Sequence, residues 1–77
     1  MDIIILEDIG WGYSKLAVVL NAAIEKLGLE ETYEIIANPR FFNRYKVNKS
    51  PAMIIDGKVV IEGYEPSLSE MISILSD

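Results

Sequence analysis

The sequence predicts an α/β domain, a four-stranded mixed sheet with helices on its faces, and three observations predict it. An apolar run at Ile3 to Leu6, a stretch at helical spacing from Lys15 to Leu27 and a second β-prone run at Thr32 to Ile36 follow one another. That is the order of a parallel strand–helix–strand unit, whose two strands need a helical crossover to lie side by side. Further on, Asp56-Gly57 stands between AMII and KVVI, the strongest short-range mark of a tight β-hairpin. A last apolar stripe at helical spacing closes the chain, which at 77 residues has room for one domain, spanning 1–77, with one modest core.

Each element has its own local reason. IIIL leads with β-branched residues and suits a strand buried on both faces, the usual state of a central strand. The stretch GWGYSKL, residues 10–16, then hands over to a helix; Gly10 and Gly12 let the chain bend, and the Ser14 hydroxyl caps the first turn by accepting from a free N–H. Leu16, Leu20, Ala23, Ile24 and Leu27 form the buried stripe of that helix, Val18 falls on its wet side, and Gly28 ends it. TYEII is a short strand among acids, and Glu30, Glu31 and Glu34 would protect it as a sheet edge.

Asn38-Pro39 supplies a cap followed by a proline in the first turn, where its missing N–H costs nothing, so a short helix is expected from Pro39 to about Tyr45. Phe42 and Val47 should face the sheet, leaving Phe41 to point sideways. After Ser50-Pro51 comes the hairpin, with Gly63 closing its second strand. Ser67-Leu68-Ser69-Glu70 has the form of a capping box, and Leu68, Met71, Ile72 and Leu75 give the final helix one apolar face.

Composition excludes more chemistry than it suggests. The chain has no cysteine and no histidine, so thiolate nucleophiles, disulfides and the commonest metal ligands and general base are missing together. No metal and no cofactor are implied. A net charge of -5 argues against a nucleic acid or an anionic membrane as main partner. No apolar run approaches the ~18 residues that a membrane helix requires, and no leader is visible, so a cytoplasmic location is expected.

The second half carries a family resemblance. YKVNKSPAMIIDGKVVIEGYEPSLSEM has an aromatic, a buried aliphatic, a proline after a short loop, a hairpin turning on Asp-Gly, a glycine, and a Pro-Ser opening to the last helix. In this it resembles the thioredoxin-fold proteins, in particular the small redox-active-disulfide and glutaredoxin-like members. The resemblance implies a thioredoxin-like βαβαββα fold with sheet order 2-1-3-4 and helices on both faces. It also implies that Pro51 corresponds to the family's cis-proline. A cis bond would leave the backbone of Ser50 free to pair with an extended peptide. The departure from the family is decisive: GWGY stands where it carries Cys-x-x-Cys, and no alignment register supplies a thiol. Thiol–disulfide exchange therefore does not carry over.

The resemblance implies a redox-inactive domain that keeps a docking surface for an unknown protein or peptide, made of Gly10, Trp11, Gly12, Tyr13, Ser14, Ser50, Pro51, Gly63 and Tyr64. Aromatics on such a surface make rigid, partly polar contacts, although Trp11 could instead fold back as a lid. A different class is also open. The glutathione transferases share this fold and hold a thiolate with a Tyr or Ser hydroxyl near the first helix, so Tyr13 or Ser14 could serve a thiol cofactor. Finally, PRFFNRYK places Arg40, Phe41, Arg44 and Tyr45 in a basic, aromatic segment within an acidic chain. It is either a solvated face or an interface for an acidic partner or a second copy.

Overall fold

A computed structural model describes residues 1–10 and 12–76. The element order is β1 (Ile3–Leu6), α1 (Lys15–Leu27), β2 (Tyr33–Ile36), α2 (Pro39–Arg44), β3 (Ala52–Ile55), β4 (Lys58–Glu62) and α3 (Leu68–Ser76). The strands form one sheet in the order β2-β1-β3-β4. Strand β1 runs parallel to β2 and antiparallel to β3, and β3 is antiparallel to β4. The expected topology is therefore the observed one. β2 begins at Tyr33 rather than Thr32.

Residues alternate across the sheet and divide its apolar side chains between two clusters. Ile3 and Ile5 of β1, with Met53 and Ile61, pack under Leu16, Ala17, Leu20 and Ala23 of α1 and Met71 and Leu75 of α3. Leu6, Ala52 and Ile54 face the other side, where Val47 joins them. Helices α1 and α3 thus share one face and α2 takes the other. The KVVI strand does not alternate simply because the register shifts between Met53 and Ile54, where Ile61 and Val59 are their partners. Val60 is the extra residue of this bulge. It lets Ile61 reach the first cluster and Val59 the second.

The local signals act as their chemistry requires. Ser14 Oγ accepts from the Ala17 N–H at 3.0 Å, and Gly28 closes α1 in the left-handed region. Asn38 caps α2 by accepting from the Arg40 N–H at 2.9 Å. Asp56 and Gly57 both have positive φ, 50° and 83°, as the hairpin turn demands. Asp56 also receives the Asp2 N–H on its carboxylate while its own N–H donates to the Asp2 carbonyl, both at 2.8 Å, so the turn is fastened to the start of β1.

Three details differ from expectation. The capping box of α3 is one-sided: Ser67 Oγ accepts from the Glu70 N–H at 3.1 Å, but the Glu70 carboxylate is taken by the Tyr64 hydroxyl. Leu68 is 39% exposed, and within α3 only Met71 and Leu75 are buried. Phe41 does not stand free; like Phe42 and Tyr45 it is half-buried against the second cluster, with the Arg44 guanidinium 4.8 Å from the centre of its ring. A short helix turning over a flat sheet face can lay two consecutive aromatics on it. Val18, as expected, is on the wet side. Among the described residues no helix is long and apolar enough to cross a membrane.

Candidate binding site at one end of the sheet

Ile36 pairs with Leu6, Leu6 with Ala52, and Ala52 with Glu62. This row crosses all four strands. The chain segments that leave it, 7–14 after β1, 37–38 after β2, 48–51 before β3 and 63–67 after β4, therefore emerge at one end. Gly10, Gly12, Tyr13, Ser14, Ser50, Pro51, Gly63 and Tyr64 all belong to these segments. Trp11, the remaining member of the expected surface, lies outside the described residues. Arg40, Phe41, Arg44 and Tyr45 belong to α2 and its end, on the opposite sheet face from α1 and α3.

Within the first segment, the Gly10 N–H donates to the Asp8 carboxylate at 3.2 Å and the Gly12 N–H to the Ile9 carbonyl at 2.8 Å. Gly10 has φ 52°. Tyr13 is 69% exposed and Ser14 only 3%. The Ser14 hydroxyl is thus committed to its helix, whereas the Tyr13 side chain is presented outward.

The second and third segments are built as one unit. The Ser50–Pro51 peptide bond is cis. The Gly63 N–H donates to the Pro51 carbonyl at 2.7 Å. Gly63 adopts φ 83°, and a Cβ there would lie 3.0 Å from Lys49 Cβ and 3.2 Å from its Cδ. Glycine is needed at this position for both reasons. On the preceding residue, the Glu62 carboxylate accepts from the Asn48 N–H at 2.7 Å and the Lys49 N–H at 3.2 Å. The chain before Pro51 is held against the end of β4 by a side chain and a backbone contact in succession.

This disposition of segments around a cis-proline is accompanied by a family match. The thioredoxin domain model matches residues 12–76. The chain belongs to the thioredoxin domain family. No match was found among curated proteins or among solved structures. The thioredoxin-domain match begins at Gly12, inside the turn, and takes in everything from α1 to α3.

On the thioredoxin scaffold the fourth segment carries a second exposed aromatic. Tyr64 is 45% exposed and its hydroxyl donates to Glu70 at 2.6 Å. That bond raises the Tyr64 pKa above its ordinary value, with partial burial and the Glu70 charge adding in the same direction. Glu62 and Glu70 are the residues that sequence reasoning missed. Glu70 was legible only as a cap, and Glu62 has no local signal, since its partners lie 13 and 14 residues away. Glu7, just beyond β1, has a buried carboxylate oxygen with no partner among the described residues.

Proposed function

We propose that this thioredoxin-like domain is a protein-binding or assembly module without redox activity, and that it docks an extended protein segment at the end of the sheet where its four connecting segments meet. The observation that carries the reading is that half of the exposed large apolar side chains among the described residues lie there, the others being Met1, Val18 and Ile35. Tyr13, Tyr64 and Leu68, all among the largest exposed apolar side chains, are on those segments or on the first turn they lead into. Exposed aromatics grouped beside ordered backbone are what a peptide-docking surface offers. Without any cysteine, the chain has no thiolate of its own to attack a disulfide.

A displayed library of random linear peptides, selected against the immobilised domain, tests this reading. Enriched peptides should lose binding to Tyr13→Ser and Leu68→Ser variants that keep the wild-type circular dichroism. Failure to enrich any peptide, or equal binding by both variants, defeats it. In parallel, an insulin reduction assay with dithiothreitol should run at the background rate, and turnover above background would overturn the redox-inactive assignment.

A further inference from the structure

The second sheet face is built differently from the first. Helix α2 has only six residues, about 9 Å of helix, and none of them is buried. It joins the end of β2 to the start of β3, so both its attachments are at the loop end of the sheet. Toward the other end, the next row on this face is Glu34, Ile4, Ile54 and Val59. In that row Ile54 is fully buried, while Ile4 and Val59 are half-buried, as are Ile36, Phe41, Phe42 and Tyr45.

Charge is divided along the same face. Arg40, Arg44, Lys46 and Lys49 lie on α2 and the segment after it, with no acidic residue between Asn38 and Ser50. Asp2 and Glu34, on this face by strand alternation, lie toward the other end, with Asp56 in the turn beside them. None of the four basic residues has an acidic partner within 4 Å among the described residues; the ion pair present there joins the N-terminal amine to Glu31.

We propose that this face is a self-association surface whose occupant is a second copy of the chain. A two-fold axis in the plane of contact and perpendicular to the strands sets the basic α2 end of each copy over the acidic end of the other. Each α2 then lies against the half-buried Ile4 and Val59 of its partner. Arg40 and Arg44 of one copy meet Asp2 and Glu34 of the other, twice, as an isologous contact requires. The half-buried Ile4, Val59 and Phe41 are covered between them. A net charge of -5 opposes association at long range, and the alignment of unlike ends is what offsets it.

Sedimentation equilibrium of the intact chain from ~10 µM to ~1 mM spans weak self-association. The wild type should pass from one to two chains with rising concentration. The double charge reversals Arg40→Glu/Arg44→Glu and Asp2→Lys/Glu34→Lys should each weaken dimerisation by at least about tenfold, with unchanged circular dichroism. An equimolar mixture of the two should recover it, because every contact in the mixed dimer is again between unlike charges. A wild type that stays monomeric at the highest concentration overturns the proposal. So does a dimer indifferent to both reversals, or a mixture that stays as weak as its components. A surface that instead takes a different acidic protein would give the first of these results.

Discussion

The Gly63 amide donates to the Pro51 carbonyl at 2.7 Å, and a Cβ on Gly63 would press to 3.0 Å from Lys49 Cβ. This contact joins the residue after β4 to the residue before β3. Gly63→Ala should cost about 1–3 kcal/mol, from left-handed backbone and the clash with Lys49 together. Urea denaturation measures it, and a variant as stable as the wild type would show that the segment yields freely.

Truncating Glu62 tests the other half of the same fastening. Glu62→Ala removes the acceptor for the Asn48 and Lys49 amides, at a cost of about 0.5–1.5 kcal/mol, since both groups are exposed enough for water to replace the carboxylate. Amide hydrogen exchange should quicken at Asn48 and Lys49 and stay unchanged in α1. Unaltered exchange at those two amides would contradict the contact.

The Tyr64–Glu70 bond makes stability fall at alkaline pH. Tyr64 has its pKa raised in the folded chain, chiefly by donating to the Glu70 carboxylate. Between the unfolded value, about 10, and the higher folded value, the folded state binds more protons, so stability declines as pH rises. The contribution is whole below pH ~10 and lost once the folded group ionises. Tyr64→Phe should flatten this alkaline limb in melts taken from neutral pH upward, and an identical pH profile would dispose of the assignment.

Capping by Ser14 is separable from the exposed surface beside it. Ser14→Ala should lower stability by about 1 kcal/mol, and Ser14→Asp should retain most of it. Thermal melts of the two variants decide the matter; equal losses would mean that the hydroxyl acts in some other way.

Leu68 and Met71 provide a contrast within one helix. Leu68→Ser should change stability by no more than about 0.5 kcal/mol, whereas Met71→Ala, at a fully buried position, should cost about 2–5 kcal/mol. A large loss at Leu68 would place it in the core, as the bare periodicity of the helix suggests.

These residues also mark how far the sequence could be read. Strand β1, helix α1 and the Asp56-Gly57 turn were legible because their determinants are local: β-branching, a stripe of 3.6-residue period, and two positive φ angles. Sheet order followed from the parallel unit and the family resemblance. Leu68 is more exposed than its spacing suggests because periodicity identifies the inward side of a helix without saying how deeply each of its turns is packed. Phe41 and Phe42 compete for one face, and only the height and tilt of α2 over Leu6 and Ala52 decide that both reach it. Glu62 was opaque for a related reason: its partners come near only after the β3–β4 hairpin has closed and the preceding loop has been drawn alongside.

Within the connecting segments at the end of the sheet, most side chains contribute little to either apolar cluster. Ser14 and Pro66 are buried there, and Gly63 is required by its backbone, but the turn ahead of α1 is held by short-range bonds of its own. Such a division makes the scaffold indifferent to the chemistry it carries. Side chains on that turn can be exchanged with little change in the interior that holds the strands together.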